Sequence, residues 1–437
     1  MRAHRVLPGV SHPRSAAQDL LHRSDHALFR LGSYVPTPGV DYAAVRRCVN
    51  LASSSSGTGL YELVNLFSGG ALLQLSIFAL GIMPYITASI IVQLLTVVIP
   101  RFEALKEEGQ SGTAKLTQYT RYLTIGLAVL QSTTFVAISR QPGGLFTNCS
   151  EILIPNDDIF TLGVMVLTMT AGTGFIMWLG ELVTEKGIGN GMSLLIFTSI
   201  AASFPSALWA IKSERGFNTF FTVIGIGLLI MAAVIFVEQS QRRIPVQYAK
   251  RQVGRRAYGG TTTYIPIKVN MAGVIPVIFA SSLLYLPALI AQFQGQDSTA
   301  GWVTWINNHL VKGDHPIYIA AYFALIVFFT YFYVAITFNP DEVAENMKKY
   351  GGFIPGIRAG RPTADYLEYV LSRITLAGAL YLGMVALIPL IALILVNANQ
   401  NFPFGGTSIL IVVGVGLETV KQIESQLQQR HYEGFLR

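Results

Sequence analysis

Charged residues in this chain collect in short clusters, and long uncharged, mostly apolar stretches lie between them. Charge-free runs occupy 71–100, 122–139, 159–180, 187–211, 216–237, 269–296 and 316–340. A further run, 374–417, is long enough for two spans and is divided by the polar, Pro-containing turn at 397–403. Lipid cannot satisfy free backbone groups, so a crossing segment must be a helix of roughly 20 residues. Hydropathy alone therefore predicts nine transmembrane helices.

Basic residues in the connections set the orientation. Segment 242–268 carries Arg242, Arg243, Lys250, Arg251, Arg255, Arg256 and Lys268 with no acidic residue, which makes it cytoplasmic. Alternation then puts 101–121, 181–186, 339–373 and the C-terminal tail inside as well. The connections left outside, 140–158, 212–215, 297–315 and 397–403, hold only Arg140, Lys212, Arg215 and Lys312 as basic residues. One place breaks the pattern: nine spans leave residues 1–70 outside, with Arg2, Arg5, Arg14, Arg23 and Arg30. A tenth, N-terminal span would bring these inside. Only Ala27 to Val35 is apolar there, and Arg30 interrupts it.

Composition agrees with lipid as the solvent. Of 437 residues, 51% are hydrophobic and 13% charged, against about a quarter charged in soluble domains. The net charge of +7 sits in loops and fits the positive-inside bias better than a nucleic-acid partner. Two cysteines, Cys48 and Cys149, cannot make a disulfide framework or a four-ligand zinc site. The Arg- and His-rich start has no apolar core of 7–15 residues after it, so it is no secretory signal.

An internal repeat is visible. Gly81-Ile82-Met83-Pro84-Tyr85-Ile86-Thr87-Ala88-Ser89 resembles Gly273-Val274-Ile275-Pro276-Val277-Ile278-Phe279-Ala280-Ser281, with Gly, Pro, Ile, Ala and Ser at the same offsets. Repeated halves with Pro-interrupted helices often mark a transport pathway, although chance among small membrane residues remains the plain reading. No phosphate loop, no H-E-x-x-H and no G-x-S-x-G occurs, and all seven His lie outside the apolar runs. No enzyme chemistry, cofactor or metal is expected. A coupled transporter would keep ionisable groups at mid-membrane, and the span centres have none, which weakens a secondary transporter of small solutes as the alternative.

Several stretches together resemble one family. Asn65-Leu66-Phe67-Ser68-Gly69-Gly70 with 77–90, Gly187-Ile188-Gly189-Asn190-Gly191, Arg242 to Tyr248 with Gly254-Arg255-Arg256, Tyr350 to Arg358, Gln422 to Leu427, and Tyr432 to Leu436 are similar to the SecY family of bacterial protein-translocation channels. The likeness covers roughly 29–437. It implies an all-α polytopic fold of ten helices in two inverted five-helix halves, here 29–211 and 216–437, around an hourglass pore. It implies a lateral gate between the spans carrying the repeat, and passage of unfolded secretory proteins across the bacterial plasma membrane. Expected partners are the SecE and SecG subunits, the SecA ATPase, the ribosome through its rRNA, and the preprotein, with the C-terminus cytoplasmic. Residues 1–28 depart from the family, which has an amphipathic segment and most of the first helix there. A shifted frame or start is the expected cause, with a truly altered helix as the alternative.

The resemblance also assigns residues. An apolar ring that seals around a strand without reading its sequence would use Ile82, Ile86, Ile278 and Ile411, with Met192 and Ile196 as candidates from the fifth helix. Ile82 and Ile86 share a helix face. Ordinary packing or lipid contact is the plain alternative. Residues 60–72, including Leu60, Glu62, Asn65, Gly69 and Gly70, resemble the plug, or else form a surface loop. Gln93 and Asn270 are amides at the gate helices, a polar pair that would tune how readily the gate opens to an apolar signal sequence, with a bond from each to a neighbouring carbonyl as the equal alternative. Arg255, Arg256 and Arg358 suit docking of an acidic partner, with anionic lipid as the rival. Cys48 and Cys149 both fall outside, where a disulfide and two free thiols are each permitted.

Overall fold

The structure, a computed structural model, describes residues 13–52, 70–72, 74–140, 149, 151–187, 190–248, 251–253, 256–258, 262–293, 301–306, 309–310, 315–396 and 406–433. Helices α1 (Pro13–Tyr34) and α2 (Tyr42–Ala52) precede the first long apolar run. The N-terminal segment thus supplies a helix without a 20-residue apolar stretch, because α1 docks through packing. Phe29 is buried and stacks on Phe78 at 6.1 Å, and Phe78 stacks on Phe175 at 6.0 Å. Such contacts add about 0.5–1.5 kcal/mol each beyond area burial.

The run 71–100, expected as one span, is helical only in part. Residues 74–82 form turns, with Leu75 and Gly81 at φ 47° and 55° and a bridge from Ser76 to Pro36. Helix α3 (Met83–Val98) then begins with Pro84 at its start, where the missing N–H is harmless. Ile99 is extended, as the residue before a proline prefers, and α4 (Pro100–Glu107) leaves at 105° to α3.

Helices α5 (Gln110–Arg140), α6 (Ile159–Lys186) and α7 (Gly191–Gln239) complete the first half and enter the second. The connection expected outside at 212–215 is helical, and 191–239 forms one element. Lys, Ser, Glu and Arg there are compatible with a helix, no Pro-Gly turn intervenes, and Lys212 lies 4.4 Å over the Trp209 ring one turn back.

A hairpin follows: β1 (Gln241–Tyr248) pairs antiparallel with β4 (Thr262–Lys268), and β2 (Arg251–Val253) with β3 (Arg256–Tyr258) between them. The remaining elements are α8 (Ile275–Phe293), α9 (Gly301–Ile306), α10 (Pro316–Thr337), α11 (Pro340–Lys349), β5 (Gly352–Phe353), α12 (Arg361–Val396) and α13 (Gly406–Glu433). Strand β5 adds to β1 through Gln247↔Phe353 and Tyr248↔Gly352. Among the described residues, five helices are long and apolar enough to cross a membrane, or six if α3 and α4 count as one bent span. The hydropathy count of nine exceeds this because α8 is described as a shorter apolar helix, α7 merges two runs, and the turn at 397–403 lies outside the described residues.

Connections assigned to one side meet one another. The 242–268 hairpin and the 350–358 segment share the β1–β5 pairing, and Lys106 Nζ donates to the Ile336 carbonyl at 3.5 Å. Cys48 and Cys149 are disulfide-bonded with Cα atoms 5.5 Å apart, so of the two alternatives for these thiols the structure takes pairing. Arg47 grips Glu151 beside the bridge, with Nε–Oε1 at 2.9 Å and Nη2–Oε2 at 2.8 Å. By accepting these hydrogen bonds, the Glu151 carboxylate raises the Arg47 pKa further above its ordinary value.

Candidate functional site

The repeat first seen in the sequence has a common local structure. Gly81 and Gly273 both take left-handed backbone, φ 55° and 62°, and a helix starts two residues later, at Met83 and at Ile275. A side chain with a Cβ rarely adopts that conformation, so glycine suits both turns. Proline is then the second residue of each helix. The outcome is two helices, α3 and α8, that pack against each other and carry Ile82, Ile86 and Ile278 into one cluster.

All six ring candidates are buried in that cluster: Ile82, Ile86, Met192, Ile196, Ile278 and Ile411. They come from α3 and its N-cap, α7, α8 and α13, four segments far apart in sequence. Ile86 N–H donates to the Ile82 carbonyl at 3.2 Å, which stacks these two side chains one turn apart. Met192 sits at the start of α7, where Asn190 caps the helix by accepting from Met192 N–H at 3.0 Å. Its sulfur lies against Gly180 of α6, so tightly that a Cβ at 180 would collide with it. On the far side, Gly414 of α13 lets Val274 approach closely. Among the described residues the cluster holds no charged side chain, and aliphatic side chains of this kind resist wetting.

The two candidate gate amides do not pair. Asn270 is 3% exposed, and its Nδ2 donates to Glu238 Oε1 at 2.7 Å and to the Gly273 carbonyl at 3.0 Å. Both N–H groups are thereby used, and Oδ1 has no hydrogen-bond partner among the described residues. Gln93 is half-buried on α3, where its carbonyl accepts from Thr96 Oγ1 at 2.6 Å. Asn270 thus takes the nearby-carbonyl bond open to it and adds a charge-assisted bond to the Glu238 carboxylate. Sequence reading passed over Glu238, which sits immediately after the run 216–237 and signals only as an acid next to a basic loop.

Of the plug candidates, Leu60, Glu62, Asn65 and Gly69 lie outside the described residues, while Gly70 stands in a turn at φ 89°. Arg255 is outside them too, and Arg256 is described as backbone within β3. Arg358 is exposed on the segment that β5 brings beside the hairpin, and its carbonyl accepts from Thr363 Oγ1 at 2.8 Å. Arg243 stacks 4.8 Å from the Tyr264 ring across the β1–β4 ladder, so part of the basic surface is held by aromatic contact.

A family model described as SecY matches residues 76–420. Protein translocase subunit SecY of Streptomyces galbus is 68% identical over 416 residues, covering 94% of each chain. That of Micrococcus luteus is 60% identical and that of Mycobacterium tuberculosis 59%, with the same coverage. A solved structure described as a protein-conducting channel superposes with TM-score 0.63 at 18% identity, over 93% of this chain and 91% of that one. The channel of the canine ribosome–channel complex from the endoplasmic reticulum gives 0.58 at 18%, over 93% and 91%.

Proposed function

The chain belongs to the SecY family, and on that footing we propose that its buried apolar cluster is the constriction through which unfolded protein passes. As a member, it is a multi-pass bacterial membrane protein and a pore subunit of a protein-conducting channel. The observation that carries the constriction is the convergence of Ile82, Ile86, Met192, Ile196, Ile278 and Ile411 from four distant segments on one apolar cluster. Flexible aliphatic side chains at a narrow point yield around a bulky strand and close when it leaves. Segment 60–72 is the plug that backs this seal. Helices α3 and α8 are the lateral gate, parting to release apolar segments into lipid.

Transport of this kind needs no reaction from this chain; its energy comes from a partner. SecA and the ribosome dock on the cytoplasmic surface formed by 242–268 and 350–358, where Arg255, Arg256 and Arg358 meet acidic side chains or rRNA phosphates. SecE clasps the helices and SecG lies at the periphery. The C-terminus is cytoplasmic, and the Cys48–Cys149 bridge braces the outer face, where oxidation is permitted. The test is photocrosslinking from positions 86 and 278 to an arrested secretory chain in membranes containing the partner subunits. Capture from both, with none from lipid-facing Leu167, supports the constriction. Failure of both sinks it.

A further inference from the structure

We propose that Glu238 and Asn270 form a polar latch that holds the start of α8 to the end of α7, with the Tyr381 hydroxyl beside it, and that this latch sets how hydrophobic a segment must be to part α3 from α8. The inference rests on reading α3 and α8 as the lateral gate.

Three elements meet at this point. Glu238 ends α7 and binds Asn270, which precedes α8. Tyr381 of α12 lies within electrostatic reach of Glu238, and its buried hydroxyl has no hydrogen-bond partner among the described residues. Gly378, one turn earlier on α12, allows the approach: a Cβ there would lie 2.5 Å from the Val269 carbonyl oxygen and 3.6 Å from Asn270 Cα. Lys268 and Lys421 are also within electrostatic reach of the Glu238 carboxylate, Lys421 from the middle of α13.

Its position gives the latch mechanical reach. Asn270 holds the carbonyl of Gly273, the left-handed residue at which the chain turns into α8, and Ile278 follows five residues on. Val269 N–H donates to the Ser240 carbonyl at 3.1 Å, continuing the β1–β4 ladder at Gln241↔Lys268. A push on the basic hairpin is therefore delivered to residues 268–270 and on to the gate helix. The closed arrangement has one charge-assisted hydrogen bond in its favour, while Asn270 Oδ1 and the Tyr381 hydroxyl are buried without partners among the described residues, which counts against it. A margin that narrow lets a modest gain elsewhere change the packing.

The test uses the full channel in cells, with two secreted reporters, one carrying a normal signal segment and one whose apolar core is shortened. Glu238→Ala and Asn270→Leu should raise export of the weak-signal reporter about tenfold, the scale of one charge-assisted bond, with the normal reporter unchanged. Glu238→Gln keeps an acceptor for Asn270 and should stay within about twofold of the parent. Tyr381→Phe removes an unpartnered hydroxyl, firms the closed state, and should lower weak-signal export. Unchanged weak-signal export in the first two variants at parental membrane levels overturns the latch, as does equal loss of both reporters. If those variants fail to accumulate, Tyr381→Phe still decides, because no fall in weak-signal export then overturns it. Photocrosslinks from positions 93 and 283 to the signal segment report on the gate itself. Their absence in the parent sinks the gate reading, while their presence with unchanged selectivity sinks the latch alone.

Discussion

Arg121 of α5 and Glu181 of α6 meet in a two-pronged ion pair, Nε to Oε1 and Nη2 to Oε2 both at 2.8 Å. Gln118 accepts from Arg121 Nη1 at 2.9 Å, so the guanidinium is fixed on two sides. A forked carboxylate contact depends on the planar geometry that only Arg supplies. Arg121→Lys should therefore lose most of the effect of Arg121→Ala. The side chains are 42% and 22% exposed, which trims the contribution to about 1 kcal/mol. Thermal unfolding of the detergent-solubilised channel measures it, and a Lys variant as stable as the parent would contradict the geometry.

The Cys48–Cys149 bridge closes a long stretch of chain, with a sequence separation of 101. Loops of this length are associated with roughly 4–5 kcal/mol in the chain-entropy treatment, an upper figure for a protein held in a bilayer. Cys48→Ser, Cys149→Ser and the double variant should lower the midpoint of unfolding by the same amount. Maleimide should label the parent only after reduction. Labelling of both thiols without reductant would disprove the bridge.

Close helix approach makes one glycine irreplaceable and leaves another free. A Cβ at Gly180 would strike the Met192 thioether, whereas Gly163, also on α6, has nothing within 4 Å. Gly180→Ala should destabilise the channel by about 1–3 kcal/mol through overpacking. Gly163→Ala should be neutral or stabilising by up to about 1 kcal/mol, from helix propensity. Equal effects at the two positions would argue against the α6–α7 contact.

If the apolar cluster is the seal, polarity there should make it leak. Ile86→Asn and Ile278→Asn place an amide among buried aliphatic side chains, and resting ion conductance of reconstituted channels should rise severalfold. Ile278→Leu conserves volume and should leave it near the parental value. Conductance that is indifferent to the amides would remove the ring from the seal.

Arg358 is exposed and contributes only its backbone carbonyl to a described hydrogen bond, so its side chain is available to a partner. Arg358→Glu should cut partner-driven export at least about tenfold, reversing one charge contact, while leaving thermal stability within about 0.5 kcal/mol. Loss of stability in parallel would make the residue structural.

Much of the architecture was legible because membrane insertion is read locally. Charge-free length marks most of the spans, and Lys and Arg placement groups the connections that the β1–β5 pairing and the Lys106–Ile336 contact later bring together. The repeat was legible for the same reason: Gly followed three residues later by Pro specifies the start of α3 and of α8 by backbone sterics alone. The count of helices was less legible. Whether 74–82 is helix or turns depends on a bridge to Pro36, and whether 212–215 breaks depends on Lys212 lying over Trp209.

By itself, then, the sequence determined that the chain lives in a bilayer and where the two repeat helices begin, since each of these follows from a contiguous stretch meeting lipid or water. Tertiary structure decided which buried polar groups find each other. Asn270 had two open readings, a gate role or a bond to a nearby carbonyl; the partners it takes, Glu238 and the Gly273 carbonyl, are brought to it by Gly378 letting α12 close on 269–270 and by α7 ending beside the turn into α8. The same holds for Phe29, which seats an N-terminal helix too polar to insert on hydropathy alone. Contacts of this kind join residues tens to hundreds of positions apart, and their energies depend on burial and distance that no local pattern encodes.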